Sequence, residues 1–251
     1  MKYFHFVLGL SLVLLILAPA DINGQSKTTL PYILEEPDRI KADELYPLVV
    51  CLHGAGGRGS ENSGKGSQAY NILKRRQYKK EYPSYLLVPQ CPKGQQWVDT
   101  PWRDGNYDID KVEISDELEF VLKLIDSVID DYPIDKSRIY ITGQSMGGFG
   151  TWDLIIRKPE LFACAIPVCG GGDPSKADLI KHIPIWIFHG SKDNIVPVKA
   201  SRDMYESLKK ISDNVKYMEF KEVEHGSWVP AWRDKKMIDW MYQQKVDNEY
   251  K

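Results

Sequence analysis

Cysteine is scarce in this chain, with four in 251 residues, at positions 51, 91, 164 and 169. Four scattered thiols cannot staple a small disulfide scaffold, and no C-x-x-C pair offers a zinc site. Cys51, Cys164 and Cys169 sit in apolar, strand-like runs, where a thiol serves as a small buried hydrophobe. Cys91 ends such a run, and a Cys51–Cys91 bridge stays open for an oxidising compartment. An excess of one charge is also missing. Thirty-three basic residues against 35 acidic ones leave a net charge of −2, which gives no footprint for nucleic acid or an anionic membrane surface. There is no internal repeat, no low-complexity tract and no composition break, so one α/β domain suits the length. Long hydrophobic runs are limited to one. Phe6 to Leu17 follows Lys2 and precedes Ala18-Pro19-Ala20. The run is too short for a membrane span and lacks a basic stop-transfer flank, so residues 1–20 read as a secretory signal peptide and residues 21–251 as the catalytic domain. A secreted or periplasmic protein is expected, with no stable membrane association once the signal is cut; a retained membrane anchor is the alternative reading of the same run.

What the chain does have is a strand–turn–helix centred on Gly143-Gln144-Ser145-Met146-Gly147. The β-branched run Ile139 to Thr142 leads in, and a helix-compatible segment leads out through Thr151 to Arg157. This is the G-x-S-x-G nucleophile elbow in the context it requires. The turn strains the serine backbone, so its neighbours two residues away on either side must lack side chains. The motif alone is only moderately specific, because glycine and serine are common.

Around it, the continuous apolar run Tyr46–Leu52 reads as a strand buried on both faces, and Tyr85–Pro89, Phe162–Val168, Ile183–Phe188 and Val215–Val223 read as further strands. A shorter strand is expected at Leu30–Leu34. Helical patterns fall at Ser67–Lys80, Leu118–Ile129, Ser201–Lys210 and Met237–Tyr242. Strands alternating with helices predict a mostly parallel central sheet with helices on both faces. Lys93 to Ile114 is a long polar loop bearing Trp97, Trp102 and Tyr107, aromatics that either face substrate or pack on the body.

The glycine-rich loop His53-Gly54-Ala55-Gly56-Gly57-Arg58-Gly59 follows the Tyr46–Leu52 strand. Gly54, Gly56 and Gly59 match a dinucleotide fingerprint, but no helix pattern or acid-terminated strand follows. Gly59 to Gly66 approaches a phosphate loop, but Gly66 stands where a magnesium-binding Ser or Thr is needed. The loop suits an oxyanion hole instead. A backbone N–H from Ala55, or from Gly56 as the alternative, would act with that of Met146 on a developing oxyanion. His53 reads as a structural loop histidine.

Two further strand ends carry Asp193 and His225. The order Ser145, Asp193, His225 is that of α/β-hydrolase triads, and in open α/β sheets catalytic groups gather beyond the carboxyl ends of the strands. Ser145 would attack an acyl carbon, His225 would take its proton and Asp193 would orient the imidazole, with no metal or organic cofactor needed. Asp173, also after a strand, is the rival acid. His182 and His189 are weaker candidates for the base. Gln144 beside the nucleophile and Trp228 after the base are expected to face substrate, Trp228 as a wall of the acyl pocket or as packing.

At Pro47–Gly56, Val88–Pro92, Thr142–Trp152, Phe188–Val198 and Glu224–Trp228 the chain resembles secreted α/β-hydrolases of the predicted-peptidase and polyhydroxybutyrate-depolymerase-like type, related to carbohydrate esterase family one and to the prolyl oligopeptidase catalytic domain. The resemblance implies a single α/β-hydrolase domain and a serine esterase acting on aryl or acetyl esters of plant polysaccharide. A peptidase or amidase activity is the alternative within enzymes, and a non-catalytic binding module the alternative outside them.

Overall fold

The computed structural model describes residues 30–59, 64 and 66–246; the signal-peptide reading of residues 1–20 lies outside them. In chain order the elements are β1 (Tyr32–Glu35), β2 (Tyr46–Leu52), α1 (Gln68–Leu73), α2 (Arg76–Glu81), β3 (Tyr85–Pro89), α3 (Asp116–Asp131), β4 (Ile134–Gln144), α4 (Met146–Arg157), β5 (Cys164–Val168), β6 (Ile185–Gly190), α5 (Lys199–Lys209), β7 (Val215–Phe220), α6 (Trp228–Ala231) and α7 (Lys235–Gln243). The strands form one sheet in the order β1-β3-β2-β4-β5-β6-β7. Only the edge pair β1–β3 is antiparallel; every other neighbour runs parallel. This is the expected α/β-hydrolase architecture.

Period-two alternation explains why both faces are covered. Leu48, Val50 and Leu52 of β2 join one core with α3, α4 and α5, while Val49 and Cys51 join the other with α1 and α7. All seven β2 residues are buried, as the unbroken apolar run required. Helix α3 shows how local sequence sets an element. Ser115 caps it by accepting from the Leu118 N–H, Asp116, Glu117 and Glu119 fill its first turn, and Leu118, Val121, Leu124, Ile125 and Val128 form its buried stripe.

Two expectations are refined. The single helix read across Ser67–Lys80 is two, because Arg75 takes an extended conformation and restarts the chain at α2. The new direction lets Lys79 reach Glu35 at 2.7 Å and Asp38 at 2.8 Å. The 93–114 loop packs on the body. Trp97 is fully buried and its indole N–H donates to the His53 carbonyl at 2.9 Å, while the Tyr107 hydroxyl donates to the buried Asp153 at 2.9 Å. The Cys51–Cys91 bridge is absent. Both thiols are free and buried, and they belong to hydrophobic cores on opposite faces of the sheet.

Candidate active site

The elbow forms because β4 ends against α4 with no room for side chains on either side of the turn. A Cβ on Gly143 would collide with the Gly147 backbone, and one on Gly147 with the Leu52 and His53 carbonyls. Ser145 between them sits at φ 54°, ψ −120°, a region that L-residues rarely adopt, held by its N–H donating to the Val168 carbonyl at 2.9 Å. Its carbonyl accepts from Gly148 and Phe149, committing the chain to α4. Met146 opens that helix, so its N–H has no acceptor within the helix and lies at the positive end of the dipole.

Beyond β6, Gly190 permits a close approach of two loops. A Cβ there would strike the Val223 and Glu224 carbonyls, and in its absence the Lys192 N–H donates to the Val223 carbonyl at 2.9 Å. Asp193 and His225 are thereby brought face to face. The His225 Nε2 is 2.8 Å from the Ser145 Oγ, and its Nδ1 is 2.7 Å from the Asp193 Oδ2. The imidazole is partly open, with one-fifth of its side chain exposed, whereas the Asp193 side chain has no exposure at all. The Trp228 ring stands edge-to-face against the His225 ring at 5.2 Å, steadying its plane.

Burial alone would push the Asp193 carboxyl up. Hydrogen bonds from His189 and His225 and from the backbone N–H groups of Ile195 and Val196 reverse this and hold it well below the ordinary carboxylate range. Oδ1 accepts both backbone N–H groups at 2.9 Å. Asp193 is therefore a fixed charge, able to stabilise an imidazolium at His225. Asp173, the rival acid, is spent elsewhere: its Oδ1 accepts from the Ser175 N–H and hydroxyl, and its Oδ2 accepts from the Ile109 N–H.

The His53–Gly59 loop reaches the nucleophile. A Cβ placed on Gly54 would lie 3.7 Å from the Ser145 Cβ. Ala55 opens a 3-10 turn, Ala55–Gly57, so its N–H and that of Gly56 have no acceptor within that turn. His53 is indeed a buried loop residue. Its Nδ1 donates to the Gly54 carbonyl at 2.7 Å, its Nε2 accepts from the Cys91 N–H at 3.0 Å, and burial lowers its pKa, which keeps it neutral. Gln144 has its side-chain carbonyl committed to the Gln68 N–H at 2.9 Å, capping α1. His182 lies at the opposite end of β6, with its Nε2 3.1 Å from the Pro159 carbonyl.

Two neighbours stand in places that the sequence does not give them, where Cys169 reads as a buried thiol and His189 as a weaker candidate for the base. Cys169, at φ 41°, places its Sγ so that it and the ligand atoms of Asp193 and His225 all lie within 4.8 Å of one another. Burial pushes this thiol up to about 12, so it remains S–H and does not rival Ser145 as a nucleophile. His189 stands behind Asp193, with Nε2 3.2 Å from Oδ2. The sequence trace was the spacing His189-Gly190-Ser191-Lys192-Asp193, in which the three intervening residues fold the acid back onto the histidine.

The chain is similar in sequence and fold to several esterases. The chain is 28% identical over 131 residues to poly(3-hydroxyalkanoate) depolymerase C of Paucimonas lemoignei, covering 50% of this chain and 28% of that protein. It is 27% identical over 184 residues to probable feruloyl esterase C of Aspergillus flavus, covering 71% of this chain and 61% of that one. The chain thus spans less than two thirds of either relative. Among solved structures, that of a thermostable esterase superposes with a TM-score of 0.79 at 39% identity, over 86% of this chain and 60% of the other. Residues 39–237 match the phospholipase/carboxylesterase family, so the chain belongs to that family of α/β-hydrolases.

Proposed function

We propose that the protein is a serine carboxylic-ester hydrolase working through an acyl-enzyme, with Ser145 as nucleophile, His225 as general base and Asp193 as the acid that orients it. The observation carrying this reading is the unbroken line from the Ser145 Oγ through His225 to the Asp193 Oδ2, at 2.8 and 2.7 Å. As Ser145 attacks the ester carbon, its proton passes to the His225 Nε2. The carbonyl oxygen gathers negative charge and meets the N–H groups of Met146 and Ala55, each contributing roughly 3 kcal/mol to the transition state. The imidazolium then protonates the leaving alcohol. Water, deprotonated by the same imidazole, attacks the acyl carbon and releases the acid and free Ser145.

The substrates we infer are aryl or acetyl esters, such as those carried by plant polysaccharide, handled by an exported enzyme. The support is the similarity to the feruloyl esterase and the resemblance of the elbow, oxyanion-loop and histidine segments to secreted esterases. In this reading Trp228, edge-to-face with His225, supplies a flat apolar wall for an acyl group, and Gly56 and Gln144 are further substrate contacts. A fluorophosphonate probe should label wild type and fail on Ser145→Ala. A panel of methyl ferulate, acetylated xylan, short p-nitrophenyl esters and prolyl-naphthylamides then ranks substrates. Amide turnover comparable with ester turnover would overturn the esterase reading, and turnover of the p-nitrophenyl esters alone would overturn the aryl and acetyl polysaccharide assignment.

A further inference from the structure

His189 is fully buried at the end of β6, and every polar atom of its ring is occupied. Nδ1 lies 2.7 Å from the Ser201 Oγ on α5. Nε2 lies 3.1 Å from the Val196 carbonyl and 3.2 Å from the Asp193 Oδ2. A carbonyl only accepts, so the ring proton must sit on Nε2, where the carboxylate oxygen shares it. Nδ1 is then bare and takes the Ser201 hydroxyl proton, leaving the longer 3.3 Å approach of that hydroxyl to the Gly170 carbonyl secondary. The opposite tautomer would turn a lone pair toward two oxygens. The Val196 carbonyl and the Asp193 carboxylate thus fix the tautomer, and Ser201 satisfies the nitrogen left bare.

The consequence falls on Asp193. Its Oδ1 is held by two backbone N–H groups and its Oδ2 by two imidazoles, one on each side. Four donors fill the lone-pair sites of the carboxylate, so it can neither rotate nor slide along the His225 ring edge. Without His189, only His225 itself would locate Oδ2, and His225 is the group that must move charge during turnover.

We propose that His189, backed by Ser201, is a positioning residue that locks the Asp193 carboxylate against His225; the inference rests on the reading of Ser145, His225 and Asp193 as the working triad. The polar chain of the site is therefore five side chains long, Ser145–His225–Asp193–His189–Ser201, and it opens to solvent chiefly at His225.

Two substitutions separate positioning from bulk structure. His189→Asn sets an amide near the place of Nδ1, within reach of Ser201, but withdraws the donor from Oδ2. His189→Gln carries an amide out to the place of Nε2. With p-nitrophenyl acetate, His189→Asn is expected to lose about ten- to a hundredfold in kcat with KM little changed, as outer partners of a catalytic group commonly do. His189→Gln should recover most of that loss. The downfield proton resonance of the His225 Nδ1–H should move in the Asn variant and return in the Gln variant. Wild-type kcat in His189→Asn, or equal losses in both variants, overturns the proposal. If His189→Asn fails to fold, Ser201→Ala reads the same device from its far end, with kcat reduced and KM held; wild-type kcat there overturns it equally. Wild type without Ser145-dependent turnover or labelling is a different result, since it sinks the triad reading itself and the proposal with it.

Discussion

At the scale of single residues, the two costs the site carries are a strained backbone at Ser145 and a buried charge at Asp193. The strain lies at φ 54°, ψ −120°, which glycine adopts freely and alanine does not. Ser145→Gly should therefore be more stable than Ser145→Ala by about 1 kcal/mol, with both variants inactive; urea unfolding of the pair checks this, and equal stability would mean the elbow holds no strain. Asp193 is argued by linkage. Its folded-state carboxyl titrates below the ordinary value of 3.8, so the folded protein binds fewer protons than the unfolded chain in the range beneath that value. The stabilisation is complete above the ordinary carboxylate range and drains away as pH falls through the lowered value. Asp193→Asn should thus cut kcat by about a thousandfold or more and should flatten the loss of melting temperature below about pH 4. A wild-type acid slope in that variant would place the lowered carboxyl elsewhere.

At the scale of elements, α4 is tied to the 93–114 loop by one buried cluster. Asp153 on α4 is 1% exposed in its side chain, receives Arg157 Nε at 2.7 Å and the Tyr107 hydroxyl at 2.9 Å, and is pushed up by burial despite both. Arg157 also donates to the Val112 carbonyl at 2.6 Å. Removing the cation alone leaves a carboxylate in an apolar setting. Arg157→Leu should cost about 3 kcal/mol, and Tyr107→Phe about 1 kcal/mol. Adding Asp153→Asn to Arg157→Leu should restore part of the loss in a double-mutant cycle. A penalty below that of Tyr107→Phe would show that the pair is screened by solvent. The strands and the helix stripes around this cluster were legible from apolar runs and 3.6-residue spacing, because burial on a face leaves a periodic mark. The break at Arg75 and the docking of Trp97 left none, since both are set by partners distant in the chain.

At the scale of the whole molecule, the sheet separates two hydrophobic cores, and the four thiols are free and buried within them. Reductant should change neither the melting temperature nor ester turnover; a fall of several degrees on reduction would reveal a disulfide. Among the described residues no helix is long and apolar enough to cross a membrane. Family membership spans residues 39–237, nearly all of the described fold.

By itself the sequence determined the parallel α/β plan, the elbow at Ser145 and the chain order of the acid and the base, because each depends on residues adjacent in sequence: glycines at fixed offsets, apolar periods and turns at strand ends. Only tertiary structure set Asp193 against His225 and committed Asp173 to Ser175 and Ile109, put His189 and Ser201 behind Asp193 and Cys169 beside it, gave Gln144 a capping bond to α1, and parted Cys51 from Cys91. Those outcomes turn on which groups meet across the sheet. Hydrogen-bond distance between residues tens of positions apart is fixed by packing, and composition and spacing carry no record of it.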